Sequence, residues 1–366
     1  MAERIMHISL RADYGGAPNY MDVMANNLSD SYELYFACPE DKPYFEKWKS
    51  NPRIKQVFVL PHRKFSVKFL LRLSSFIREN KIKLIQSNGK GAGVYGRLLK
   101  LTNPRLKIIH AYRGVHIQKY NLLQKYLYLF YERLMLSLTD KVINVSIGER
   151  EICIGHRILT RAKSVQIYNG IPAIQPKRTP QLSEKYKGKF VIATLSRFDY
   201  AKNMESMIRI AEKCKSEKEI LFVLIGDGED KASLEQKSRE LGLNNIDFVG
   251  FKNKEQISEY LSNTDLYLST SRWEGLPFAL IEASSMKIPI VASDVVGNNE
   301  VCKNEINGFL FPSENEEIAK EKILKIKNDS ELKALLGENS RKVFENSFTV
   351  EKMVKNHQEL YHSLLV

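Results

Sequence analysis

The sequence predicts an α/β protein of two domains, each a parallel sheet covered by helices. Three observations carry this reading. The chain has 366 residues, more than a single hydrophobic core usually organises. Short apolar runs alternate with longer helix-like stretches through both halves, as in sheets whose faces are both covered. An aperiodic segment, residues 167–180 (IYNGIPAIQPKRTP), holds Gly170, Pro172, Pro176 and Pro180 and divides the halves as a linker does.

The first half opens with RIMHISL, an apolar strand, then a glycine turn at Gly15-Gly16 and a helix running to Leu28. Strand-like runs recur at YELYFAC, KQVFVL, IKLIQSN, KIIHAY and KVINVS. Between them SVKFLLRLSSFIREN and LLQKYLYLFYERLMLSL read as helices. The second half restarts the alternation. Strand KFVIATLS precedes a helix from about Met204, followed by strand ILFVLIG, helix KASLEQKSRELG and strand IDFVGF. Helix KEQISEYLSN and strand DLYLSTS come next, then the bend Gly275-Leu276-Pro277 and a helix carrying Glu282 about two turns in. Strands PIVAS and GFLF and terminal helices complete the half. Each half therefore reads as a Rossmann-like domain, and the ligand site is expected in a cleft between the two.

Composition narrows the function classes. A hydrophobic content of 43% without low-complexity tracts marks a globular chain. No apolar run reaches the ~20 residues that span a bilayer. MAERIMHISLRADYGG lacks an apolar core followed by a small-residue cleavage site, so a signal peptide is not expected. Cys38, Cys153, Cys214 and Cys302 have no metal-ligand spacing and read as reduced structural thiols of a cytoplasmic protein. The net charge of +13 is uneven: 28 Lys and Arg face 13 Asp and Glu in residues 1–170, and 28 face 30 in residues 171–366. A basic first half suits nucleic acid, anionic lipid or a phosphorylated substrate. No nucleic-acid-binding motif supports the first of these.

The chemistry concentrates in the second half. In LSRFDYAKN, Arg197 and Lys202 follow a strand and precede a helix, where backbone N–H groups and the helix dipole favour phosphate. Two cations five residues apart can grip a diphosphate, Arg as a fork and Lys as a point charge. Gly226 in GDGED and Gly250 at the next strand end permit tight turns and close ligand approach. In SRWEGLPFALIEASSMKIPIVAS, Glu274 closes a strand and Glu282 lies on the helix that follows. That edge of an open α/β sheet is where ligands bind.

The order SRFDYAKN, LIGDGED, FVGF, SRWEGLPFALIEASSMKIPIVAS and NGFLF resembles the second domain of glycosyltransferase family 4, over essentially all of residues 190–312. Members are retaining nucleotide-sugar transferases of the GT-B fold, two Rossmann-like domains facing each other across a cleft. The first half is compatible, with Gly15-Gly16 after strand one, the Arg113-Gly114 segment, and YNGI before the linker. The resemblance implies a first domain of residues 1–170, a linker at 171–180, a nucleotide-sugar domain at 181–345, and a C-terminal helix at 346–366 packing back on the first domain.

It also implies roles. Arg197 and Lys202 match the pair that neutralises the leaving diphosphate, Glu282 the acceptor of ribose hydroxyls, and Glu274 the carboxylate that orients the donor sugar. The backbone of Gly275, Leu276, Pro277 and Phe278 would lie against sugar and phosphate. Residues near Gly226, Gly250 and Phe251 would line the nucleotide, with Gly250 and Phe251 at the base. Gly15 and Gly16 would bring the first domain's backbone to the phosphates. Family members often carry a His before a Gly near the donor sugar. Here IIHAYRGVHI has Arg113 before Gly114 and histidines at 110 and 116, so either His110, as a catalytic group, or Arg113, on the acceptor side, is expected in the cleft. No Asp-x-Asp pair of the metal-dependent kind is found, so no metal or cofactor is expected beyond the nucleotide sugar.

The helix in KYNLLQKYLYLFYERLMLSLTDK mixes apolar bulk with Lys125, Arg133 and Lys141. An amphipathic core helix is the simpler reading, a membrane interface the second. HRKFSVKFLLRLSSFIRENKIK is similar, with Arg63, Lys64, Lys68 and Arg72. The expectation is a cytoplasmic retaining transferase at the inner face of an anionic membrane. It would move a hexose or N-acetylhexosamine from a UDP-sugar, rather than a GDP-sugar, to a glycan or lipid-linked acceptor of polysaccharide or lipopolysaccharide synthesis. A nucleotide-sugar epimerase of the same fold and a basic nucleic-acid-binding protein are the alternatives.

Overall fold

The computed structural model describes residues 2–115, 117 and 120–366; His116 lies outside the described residues. Contacts divide the chain into two units, Met1–Gly170 with Val350–Val366, and Ile171–Thr349.

In the first unit, β1 (Glu3–Ile8), β2 (Tyr32–Cys38), β3 (Ile54–Val59), β4 (Leu84–Asn88), β5 (Lys107–Ala111), β6 (Lys141–Asn144) and β7 (Ser164–Gln166) form one sheet. Its order is β3-β2-β1-β4-β5-β6-β7 and every pairing is parallel. Successive strands are joined through α1 (Gly16–Asn27), α2 (Tyr44–Lys49), α3 (Val67–Glu79), α4 (Lys90–Thr102), α5 (Leu122–Leu136) and α6 (Ile147–Gly155). The order reverses between β1 and β4. With right-handed crossovers, that puts α1 and α2 on one face and α3, α4 and α5 side by side on the other.

Helix α5 departs from the core reading. Its sheet-facing side buries Leu129, Glu132 and Met135, while Leu123, Tyr126, Leu127, Phe130 and Leu134 are 55% to 73% exposed. The buried carboxylate decides this orientation. Glu132 accepts from Arg97 of α4 at 2.6 Å and from the Tyr112 hydroxyl at 3.0 Å, and both charged side chains are sealed from solvent. A buried ion pair persists only when both members are held and hydrogen-bonded. Turning α5 to bury its leucines would strand Arg97 without its partner.

The second unit contains β8 (Phe190–Leu195), β9 (Ile220–Ile225), β10 (Ile246–Gly250), β11 (Leu266–Ser269), β12 (Ile290–Ser293) and β13 (Gly308–Phe311). Its parallel sheet runs β10-β9-β8-β11-β12-β13. The helices are α7 (Pro180–Lys185), α8 (Met204–Lys213), α9 (Lys231–Glu240), α10 (Lys254–Leu261), α11 (Phe278–Ser285), α12 (Asn298–Val301), α13 (Glu316–Lys327) and α14 (Ser330–Ser347). Strand residues Ile192, Phe222, Leu224, Leu266 and Leu268 share one core with Met207, Ile208 and Ala211 of α8 and Ile323 of α13. Near-continuous apolar strands are what a parallel sheet buried on both faces requires. Both sheets have the doubly wound order, which bears out the Rossmann-like reading of each half.

The last helix, α15 (Val350–Leu365), belongs to the first unit. The Tyr361 hydroxyl donates to Gln86 Oε1 at 2.6 Å, and the Tyr32 hydroxyl donates to the Gln358 carbonyl at 3.2 Å.

Candidate functional site

The strand order of the second sheet reverses between β8 and β11, and ligands of such sheets bind beyond the strand ends at that point. The β8–β11 ladder registers only Leu266 with Ile192 and Tyr267 with Ala193, after which the strands diverge. Above the gap, the Tyr267 hydroxyl donates to the Leu195 carbonyl at 3.0 Å and accepts from the Leu195 N–H at 2.9 Å. Two loops leave from here, 196–203 after β8 and 270–277 after β11.

These loops carry three of the charged candidates and are joined through one of them. Lys202 Nζ donates to Glu274 Oε1 at 2.5 Å, across 72 positions of sequence. The same oxygen accepts from the Ser271 hydroxyl at 2.7 Å. Glu274 is 12% and Lys202 24% exposed, so the pair is shielded yet reachable. The Thr270 hydroxyl contacts the Lys202 and Asn203 carbonyls at 3.1 and 3.0 Å. Arg197 is exposed, and its guanidinium is aimed by Asp199 at 2.6 Å.

Sequence reasoning misses Arg272. Its backbone N–H donates to the Ala201 carbonyl and its Nη1 to the Tyr200 carbonyl, both at 2.8 Å, and its guanidinium lies over the Tyr200 ring. It misses the base of the second loop too, where the Ser293 hydroxyl donates to the Ser271 carbonyl at 2.6 Å and Asn298 Nδ2 donates to the Ser293 carbonyl at 3.1 Å. No sequence spacing announces these bonds, because they depend on the sheet order.

Glu282 stands apart from the paired charges. Pro277 caps α11, which delays the helix to Phe278, so Glu282 lies one turn in rather than two. Its partly buried carboxyl has no hydrogen-bond partner among the described residues. Burial pushes its pKa up from 4.5 to about 7, with Lys254 pulling weakly the other way. The first turn of α11 holds no acidic residue and no side-chain cap, which leaves its N–H groups to an anion.

Gly226 works through the chain's own backbone. Its φ is +145°, and a Cβ there would lie 1.8 Å from the Ser196 carbonyl oxygen. Phe198 then donates to the Asp227 carbonyl at 2.9 Å, bracing the loop that carries Arg197. Gly226→Ala is therefore expected to destabilise the unit by about 1–3 kcal/mol, seen as a lower unfolding temperature. Gly250, at φ +70°, accepts from the Gly226 N–H at 3.0 Å, and Phe251 beside it is 48% exposed. Gly275 and Phe278 are partly exposed; Leu276 and Pro277 are buried.

In the first unit Gly15 is extended and precedes Gly16, the first residue of α1. Arg11, held by Asp13 at 2.6 Å, lies 3.5 Å from where a Gly15 Cβ would be. Arg113 follows β5 in the left-handed region, φ +59°. Its guanidinium donates to Asn88 Oδ1 at 3.0 Å and Asn169 Oδ1 at 2.8 Å and sits 3.5 Å from the Tyr20 ring centre. Burial lowers its pKa. His110 is a correction. Its imidazole is fully buried, its Nδ1 is 3.0 Å from the Ser87 hydroxyl, and a Cβ on Gly93 of α4 would lie 2.5 Å from its ring. Desolvation, reinforced by Arg97 and Arg113, holds it neutral. A ring packed under a helix touches no substrate, so the catalytic assignment of His110 fails. Among the described residues, no cluster of His, Cys, Asp and Glu is placed to hold a metal ion.

Comparison with known proteins gives the family and the fold. The family model described as glycosyl transferases group 1 matches residues 177–343, and that of glycosyltransferase family 4 matches residues 14–173. A UDP-Gal:alpha-D-GlcNAc-diphosphoundecaprenol alpha-1,3-galactosyltransferase of Escherichia coli is 24% identical, covering 92% of this chain and 91% of the relative. The E. coli O-antigen biosynthesis glycosyltransferase WbnH is 27% identical, covering 85% and 86%. Among solved structures, Anabaena Alr3699/HepE in complex with UDP and glucose superimposes with a TM-score of 0.83 at 20% identity, covering 98% of this chain and 99% of that one.

Proposed function

Because this chain belongs to glycosyltransferase family 4, we propose that it moves a hexose or N-acetylhexosamine, with retention, from a UDP-sugar to a lipid-linked or growing glycan in cell-surface polysaccharide synthesis. The observation that carries the proposal is the Lys202–Glu274 contact at the reversal point of the second sheet, with Arg197 beside it on the same loop and an unpartnered Glu282 on the next helix. The UDP preference and the lipid-linked acceptor are supported by the similarity to the E. coli UDP-Gal:alpha-D-GlcNAc-diphosphoundecaprenol galactosyltransferase and to the UDP-bound Anabaena structure.

In this reading the donor's C1–O bond to the diphosphate breaks as an acceptor oxygen bonds C1 from the same side, and the acceptor's proton passes to the departing phosphate oxygen. Negative charge grows on that phosphate, and positive charge on the sugar ring. Arg197 and Lys202 supply the counter-charge that a metal ion supplies in other transferases. Glu274 Oε1 already accepts from Lys202 and Ser271. That suits it to orienting sugar hydroxyls and fixing Lys202 rather than to attack on C1. Glu282 would take the ribose hydroxyls, Gly275 and Phe278 the phosphate edge, and Gly250 and Phe251 the base.

The proposal includes a cytoplasmic location and peripheral contact with an anionic membrane. Among the described residues no helix is long and apolar enough to cross one. Incubating the chain with UDP- and GDP-sugars and a lipid-diphosphate sugar acceptor tests the reaction. The expected result is acceptor-dependent release of UDP and a product whose new linkage keeps the donor's anomeric configuration. Inverted product, or conversion of the donor sugar without acceptor, would overturn it.

A further inference from the structure

Helix α5 is built against the usual rule for a surface helix. Its buried side carries a carboxylate, Glu132, and its solvent side a stripe of Leu123, Tyr126, Leu127, Phe130 and Leu134 at helical spacing. Leu122, the first residue of the helix, is 78% exposed. Contiguous apolar surface of this kind marks a contact with another phase or partner. Lys125 and Arg133 flank the stripe, and no acidic side chain on the helix faces outward, because Glu132 is turned in to Arg97.

The neighbouring helices show which partner fits. Residues 51–110, which include α3 and α4, hold fourteen Lys and Arg and a single acid, Glu79; of these cations Arg97 is buried on Glu132 and Lys100 is paired with Asp140. On α3, Val67 and Leu71 are exposed beside exposed Lys68 and Arg72, and Phe65 precedes them at 44% exposure. These helices share one face of the sheet with α5. We propose that this face seats the protein on an anionic lipid bilayer, with the α5 stripe entering the headgroup–acyl boundary and the exposed cations of α3, Lys68 and Arg72, reading the negative surface. A second copy of the chain fits less well, since pairing this face with itself opposes like charges. A nucleic acid would leave the leucines and phenylalanine in water.

The inference deepens the membrane contact of the proposed function and is separable from the donor site. UDP binding reports the second unit, and vesicle binding reports this face. The whole chain is floated with phosphatidylcholine vesicles with and without phosphatidylglycerol, alongside a Leu127→Glu/Phe130→Glu variant and a Lys68→Glu/Arg72→Glu variant. Wild type is expected to float with anionic vesicles only, and less at high salt. The first variant should bind at least about tenfold more weakly, and the second should lose the preference for anionic lipid. All three should melt alike and bind UDP alike, because every changed side chain is exposed. Equal flotation of wild type and the α5 variant overturns the proposal, as does absent flotation of wild type. A wild-type dimer that the α5 variant dissolves would assign the face to a second copy and overturn it too.

Discussion

Replacing Lys202 with alanine is expected to lower kcat/KM for the nucleotide sugar about 10²–10³-fold, with most of the loss in kcat. The bound donor's diphosphate already carries about two negative charges, and further charge develops on the departing phosphate oxygen, so the part of the interaction that grows belongs to the transition state. Its ammonium is held by a carboxylate from the other loop, in a site where water screens it less than at the surface. Arg197→Ala should act in the same direction but less, because Arg197 is exposed and restrained, among the described residues, by Asp199. Lys202 also neutralises Glu274, so a Lys202→Ala/Glu274→Gln double variant separates the effects. It should regain stability lost by the single variant and none of the turnover. Steady-state kinetics with one donor, beside thermal unfolding of the three proteins, reads both.

Glu282→Gln is expected to stabilise the protein above neutral pH while weakening UDP binding more than about tenfold. Burial raises the folded-state pKa of Glu282 from 4.5 to about 7, so the folded chain takes up a proton there that the unfolded chain does not. That linkage favours folding fully below about pH 4.5 and is lost as pH rises through 7. Above 7 the wild type must keep a charge in a desolvated position, at about 1–3 kcal/mol. Glutamine carries no charge, so the variant should unfold higher at pH 8, by about 2–4 °C per kcal/mol for a unit of this size. At acid pH the two should melt alike. A donor site explains why an unpaired carboxylate is kept despite that penalty: ribose hydroxyls would donate to its ionised form. UDP affinity of the wild type should accordingly rise with pH through 7.

Much of this site can be read in the sequence, for identifiable reasons. Parallel strands buried on both faces appear as apolar runs, so the alternation and both sheets emerge from RIMHISL, KFVIATLS, DLYLSTS and their relatives. Arg197, Lys202 and Glu274 stand out because they follow such runs, in the loops beyond strand ends, and Glu282 because it lies on the helix that comes next. What joins them does not show. Lys202 meets Glu274 only because β11 lies beside β8, and Arg272 ties the loops only in that order. Helix α4 escapes the sequence reading because Gly91, Gly93 and Gly96 argue against a helix. The fold needs them: side chains there would strike Leu10, His110 and Ser87. That same close packing buries His110 and removes it from the site. For α5, apolar residues on every side leave periodicity unable to choose the inner face, and the Arg97–Glu132 pair makes the choice.

The central claim is that the second unit holds one nucleoside diphosphate between the 196–203 loop, the 270–277 loop and α11. Calorimetric titration of UDP into the whole chain tests it most directly. Wild type should bind one UDP per chain, with the affinity falling sharply in Glu282→Ala and more modestly in Arg197→Ala. UDP binding of undiminished strength in both variants, or no binding of any nucleoside diphosphate by the wild type, would contradict it.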